Sequence, residues 1–174
     1  RLNPELPPEG VDRDTYMAQK FGSRENIIRV HEPLLAHAEK AGVPFDLPAI
    51  RRSPNTLDAQ RVIHWARLEG RQTPMVSRIM RAYWAEGQDI GDKAVLARLA
   101  GEVGLDAAMI GRLLDGNGDT DDIIARERHS RERGINAVPT FVIAGQHVLQ
   151  GAQPTEVWIR VIDDILHQLD GAKS

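Results

Sequence analysis

The sequence contains no cysteine. Disulfide staples, thiolate metal sites and cysteine nucleophiles are therefore excluded within these 174 residues. Lysine and arginine never cluster into a block of about six, and the formal net charge is −3, which argues against a nucleic-acid binder. No apolar run approaches the roughly 18 residues of a membrane span. The first residues, Arg1-Leu2-Asn3-Pro4-Glu5-Leu6-Pro7-Pro8, carry no apolar core of the signal-peptide kind. Internal repeats and low-complexity tracts are absent too.

What remains is an ordinary globular balance, 41% apolar and 27% charged, from which we expect a soluble chain forming one large domain or one domain with an insertion. Asn3-Pro4 and Pro7-Pro8-Glu9-Gly10 make an opening segment that cannot start a helix before about Val11. The middle of the chain reads as helices. Asp14 to Phe21 stops at Gly22, and Ser23 caps a helix with the stripe Ile27, His31, Leu34, Ala38 and Ala41, which Pro33 is expected to kink or divide. Ser53 or Asn55 caps the next helix, with Pro54 in its first turn. Ala59, Val62, Ile63 and Ala66 line one face of it, and Leu57, Trp65 and Leu68 the other. A helix apolar on two faces belongs between layers. Thr73-Pro74 opens a helix with Val76, Ile79, Met80 and Tyr83 inward. Asp92 caps another with Leu96, Leu99, Ala100 and Val103 inward, and Asp106 to Leu114 is a further short one.

From Asp119-Thr120-Asp121-Asp122 to Arg131-Glu132-Arg133-Gly134, acids lead and bases trail, which matches the helix dipole. Gly134 suits the left-handed residue that closes a helix. Thr140 to Ile143 reads as a strand, Gly145-Gln146 as a type II′ turn, and His147 to Gln150 as the returning strand. Pro154 opens the last helix, whose stripe is Val157, Trp158, Val161, Ile162, Ile165 and Leu169. Only this hairpin, plus a short extension at Pro44-Phe45-Asp46, reads as β. A lone two-stranded hairpin is marginal and its open edge seeks a partner. An upstream β-α-β unit would supply one; so would a partner chain, as in a homodimer.

The stretch Gly134-Ile135-Asn136-Ala137-Val138-Pro139-Thr140-Phe141-Val142-Ile143 resembles the cis-proline segment of DsbA-type thioredoxin-fold proteins. Gln150-Gly151-Ala152-Gln153-Pro154, Leu2-Asn3-Pro4 with Pro7-Pro8-Glu9-Gly10, and Asn55-Thr56 with Ala59, Arg61, Trp65 and Ala66 resemble its FrnE branch. The resemblance implies a mostly helical α/β chain, a thioredoxin-like fold with an inserted all-helical domain whose N-terminal β-α-β half, with the Cys-x-x-Cys, is missing. Residues 1–10 would be an opening segment from the thioredoxin-like part, 11–117 the helical insertion, and 118–174 the C-terminal α-β-β-α half. It further implies a thiol–disulfide oxidoreductase acting on protein or small-molecule disulfides, with no cofactor, no membrane partner and a cytoplasmic site. On its residues alone Val138-Pro139 reads as an ordinary trans bond; the resemblance implies cis. Val138, Pro139 and Thr140 would then bind substrate, Val138 through its backbone N–H and C=O, while Asn55, Arg61 and Trp65 would border a cleft. No residue of this chain takes the catalytic position, because that position needs a thiolate.

The other polar residues have plainer readings. His31, His64, His129 and His147 lack any spacing that gathers metal ligands. Asp121-Asp122 and Asp163-Asp164 read as helix-face acids, and Arg126, Arg128, Arg131 and Arg133 as a solvated helix. Asp115-Gly116-Asn117-Gly118 is only faintly like a calcium loop, since no glutamate closes it. Two other functions are set beside the oxidoreductase. One is a glutathione-dependent 2-hydroxychromene-2-carboxylate isomerase or kappa-class transferase relative, disfavoured by the run Leu149 to Pro154. The other is a non-catalytic module binding extended peptide at Val138.

Overall fold

The computed structural model describes residues 3–171, with the side chains of 169–171 excepted. Arg1, Leu2 and the Leu169 side chain, which figure in the readings above, lie outside the described residues. Two compact units emerge, residues 3–127 and 128–171. The division between these units falls inside a helix, and residues 3–10 lie in the first of them. The physical reason lies in that helix, α7 (Thr120–Glu132). Its first turns bury Ile123 in the first unit, and Arg126 there reaches His64.

The first unit begins with turns that bring Gly10 against Ser53. Gly10 has φ +69, and a Cβ there would lie 2.7 Å from the Ser53 carbonyl oxygen, so this approach needs glycine. It positions β1 (Val11–Asp12) antiparallel to β2 (Arg52–Ser53), a two-residue ladder too short for any periodicity to announce. The expected extension at Pro44–Asp46 is not a strand. Asp46 instead caps a 3-10 turn at Leu47–Ala49 by accepting from the Ala49 N–H, and Phe45 stacks on Trp84 at 5.1 Å between centroids.

Asp12 caps α1 (Arg13–Phe21), and Ser23 caps α2 (Arg24–Lys40). Pro33 does not divide α2, which runs through it as one helix. The Pro33 carbonyl is met by His37 Nδ1 at 2.7 Å. Next come α3 (Leu57–Leu68), α4 (Gln72–Trp84), α5 (Lys93–Glu102) and α6 (Ala107–Asp115). Helix α3 starts after Pro54 and Asn55. Ser53 is spent in β2, while the Asn55 Oδ1 accepts from the Leu57 N–H.

The core lies where α3 meets α4 and α5, and α5 meets α6. Val62, Ala66, Met75, Leu96, Leu99 and Leu114 are all fully buried there; each large aliphatic side chain contributes about 1.5–3 kcal/mol by leaving water. Two inward assignments change. On α4, Met75 is buried and Met80 is 54% exposed, because the buried face follows Met75, Ile79, Ala82 and Tyr83. On α3 the far face is only half covered: Trp65 is buried but Leu68 is 71% exposed.

The second unit holds the end of α7, a hairpin of β3 (Thr140–Ile143) and β4 (His147–Gln150), and α8 (Thr155–Gly171). Register runs from Thr140 opposite Gln150 to Ile143 opposite His147. The turn is centred one residue earlier than expected. Ala144 and Gly145 both have positive φ (+50 and +73) and the Gln146 N–H closes on the Ile143 carbonyl, which is the sign pattern of a type I′ turn rather than II′. The stripe on α8 meets the hairpin through Trp158, set edge-on to Phe141 at 4.7 Å.

Candidate functional site

The sequence-derived residues fall into two groups, one in each unit. In the second unit, α7 is closed by Gly134 (φ +79), whose N–H reaches the Arg131 carbonyl at 2.8 Å. The chain then runs 135–139 without regular structure and enters β3. The Val138-Pro139 bond is cis. Two hydrogen bonds fasten the loop: Thr140 Oγ1 donates to the Ala137 carbonyl at 2.7 Å, and the Gly151 N–H donates to the Pro139 carbonyl at 2.8 Å. Val138 lies between these ties with 65% of its surface exposed. Among the described residues nothing hydrogen-bonds its backbone N–H or C=O. That leaves one donor and one acceptor at the mouth of a strand, the groups through which an extended chain adds to a sheet edge.

The first-unit group does a different job. Arg61 is 2% exposed, and its guanidinium is committed on every side. Nε donates to the Gly118 carbonyl at 2.9 Å, and Nη2 to those of Leu113 (2.9 Å) and Gly116 (2.7 Å). Nη1 meets Asp58 Oδ1 at 2.7 Å. The guanidinium carbon lies 4.9 Å from the centre of the Trp65 ring, a cation–π contact. Trp65 Nε1 donates to Asp119 Oδ2 at 2.7 Å. Arg61 and Trp65 thus hold the last turn of α6 and the 116–119 loop that leads to α7. Asn55 anchors the opening segment, its Nδ2 donating to the Leu6 carbonyl at 2.7 Å.

Two participants escaped the sequence. Asp119 sits at φ +59 so that its carboxylate reaches Trp65; an aspartate after Asn-Gly is the only hint of it. Arg13 is buried, its Nη1 donating to the Tyr83 hydroxyl at 3.2 Å, which in turn donates to the Arg52 carbonyl at 3.2 Å. Burial pushes the Tyr83 phenol up, against the pull of the Arg13 charge. Nothing in the run Asp12-Arg13-Asp14 distinguishes this arginine from a surface one.

A mostly apolar cavity of about 250 Å³ opens beside α3 and α6, lined in part by Trp65, Leu68, Leu105, Met109 and Leu113. Among the described residues no three histidine or carboxylate side chains are grouped to hold a metal ion. No described helix is long and apolar enough to cross a membrane.

By structure, the chain is similar to a probable DsbA oxidoreductase from Streptomyces coelicolor, with 27% identity and a TM-score of 0.84 over 94% of this chain and 71% of that one. It also shares its fold with a 2-hydroxychromene-2-carboxylate isomerase at 17% identity, TM-score 0.71, over 87% of this chain and 72% of the other. These define a thioredoxin-like fold of the DsbA kind. The model of the DSBA-like thioredoxin domain matches residues 1–162, and the chain belongs to that family. YwbO of Bacillus subtilis, an uncharacterised protein, is 35% identical over 128 residues, 73% of this chain; the chain spans 64% of YwbO's length.

Proposed function

We propose that this chain is the substrate-side portion of a FrnE-like thiol–disulfide oxidoreductase whose reactive thiols lie outside these 174 residues. The observation that carries the reading is Val138: exposed, fixed by neighbours on both sides, and with its peptide groups unpaired among the described residues. Membership of the family and the similarity to a probable DsbA oxidoreductase support it. A disulfide-bearing peptide laid along Val138 would form strand-like hydrogen bonds there, with Pro139 and Thr140 setting the direction of the loop. The chemistry is then thiol–disulfide exchange. A thiolate attacks one sulfur of the substrate disulfide, the new S–S bond forms as the old one breaks, and the displaced sulfur leaves as a thiolate. A second thiolate attacks the mixed disulfide and releases reduced substrate; the reverse order oxidises it.

Titration of the 15N-labelled chain with an extended disulfide-containing peptide tests the clamp. The expected outcome is a saturable shift of the Val138 amide and its neighbours, with the first unit unmoved. Shifts confined to other residues would sink the proposal. The coding sequence adjoining Arg1 discriminates the chemistry. Cys-x-x-Cys in frame supports the oxidoreductase, a serine at the first position supports the glutathione-dependent isomerase, and the absence of both leaves a peptide-binding module.

A further inference from the structure

The loop that Arg61 holds contains Asn117-Gly118, and in this pair an exposed asparagine side chain meets a following glycine. Deamidation of an asparagine requires the backbone nitrogen of the next residue to reach the side-chain carbonyl carbon. A following side chain hinders that approach, and hydrogen bonds to either partner hold them apart. Of the five asparagines only Asn117 precedes glycine. Asn3 precedes Pro4, whose nitrogen carries no proton to lose. Asn26 is held at both ends, by the Phe21 carbonyl and by Arg29. Asn55 is held likewise, by the Leu6 carbonyl and the Leu57 N–H. Asn136 precedes alanine. Asn117 is exposed, and among the described residues neither its side chain nor the Gly118 N–H has a hydrogen-bond partner. Gly118 stands in open space, with no atom within 4 Å of where a Cβ would be.

We infer that Asn117-Gly118 is a self-modification site, at which Asn117 deamidates through a cyclic imide and the isoaspartyl product loosens the loop from Arg61. The Gly118 nitrogen attacks Cγ of Asn117. A C–N bond closes the imide, and the side-chain nitrogen leaves as ammonia with the proton that Gly118 loses. Water then opens the imide at either carbonyl, giving aspartate or isoaspartate with no change of oxidation state. Isoaspartate routes the main chain through the side-chain carbon and lengthens it by one methylene. The insertion falls between the Gly116 and Gly118 carbonyls, both acceptors for Arg61. It also precedes Asp119, the acceptor for Trp65. The new carboxylate joins Asp115, Asp119 and Asp121, a run already of one sign. A buried guanidinium that loses acceptors is strongly destabilising.

The test ages the full chain in mildly alkaline buffer, maps its peptides by mass spectrometry, assays isoaspartyl linkages with an isoaspartyl methyltransferase, and follows the urea midpoint of the same samples. Isoaspartate is expected at position 117 ahead of positions 26, 55 and 136, with the midpoint falling as it accumulates. Gly118→Ala should slow both several-fold. Asn117→Asp, which adds the charge without the methylene, should keep a midpoint near that of fresh protein. Reaction at Asn136 as fast as at Asn117, or Gly118→Ala ageing at the parent rate, overturns the site. A modified protein with the fresh midpoint, or Asn117→Asp as unstable as the aged chain, overturns the loss of the Arg61 anchor.

Discussion

Arg61 carries a permanent charge into a place that water barely reaches, so its value lies in what the Leu113, Gly116 and Gly118 carbonyls and Asp58 would lose without it. Replacing it by methionine strands the Leu113, Gly116 and Gly118 carbonyls, and we expect a loss of about 3 kcal/mol in urea denaturation. Arg61→Lys should recover only part of that, because an ammonium has no planar fork to meet Gly118 and Gly116 at once. At Ala144 the sign reverses. Its φ of +50 penalises an L side chain, so Ala144→Gly should stabilise the protein by about 1 kcal/mol, read from the same experiment. Both positions were visible as residues, yet their importance was not. Arg61 stands out only through family resemblance, and the Gly145-Gln146 pattern places the turn one residue too late.

At the scale of elements, α4 leads to α5 through a close pass of Gly87 over the 3-10 turn. Gly87 has φ +63, and a Cβ there would lie 2.5 Å from the Ala49 carbonyl oxygen. Gly87→Ala should therefore cost about 3 kcal/mol and lower the thermal midpoint, since neither backbone can yield cheaply. On α2, burial lowers the pKa of His31 first, and the Arg13 charge lowers it further. The folded state thus resists protonation that the unfolded chain accepts near the ordinary value of 6.5. The stability linked to neutral His31 is full above that value and declines as pH falls through the lowered one. Urea midpoints measured across this range should fall less steeply for His31→Gln; equal slopes would refute the assignment.

For the whole molecule the governing fact is chemical. A thiol–disulfide oxidoreductase works through a thiolate, and no sulfur nucleophile exists among these residues. The purified 174-residue chain should show no dithiol-dependent reduction of insulin or of a peptide disulfide, and measurable turnover would contradict that expectation. The peptide contact proposed at Val138 requires no thiol, so it should be detectable in the same chain, which separates the wall of a site from its chemistry.

Local rules made much of this protein legible. Helix starts at Ser23, Asp92 and Asp106, the glycine at 134 and the strands on either side of the hairpin all follow from capping, backbone permissiveness and β-branching, which act over a few residues. The family was legible for the same reason, since its mark around Pro139 is a contiguous stretch. Tertiary contact decided the rest: that Met75 rather than Met80 turns inward, that Arg13 finds Tyr83, that two-residue strands at Val11 and Arg52 pair across a long separation, and that Arg61 gathers three carbonyls from the end of α6 and the loop after it. Those choices depend on which groups meet after the chain has folded back, where desolvation and hydrogen-bond satisfaction, rather than local propensity, set the energy.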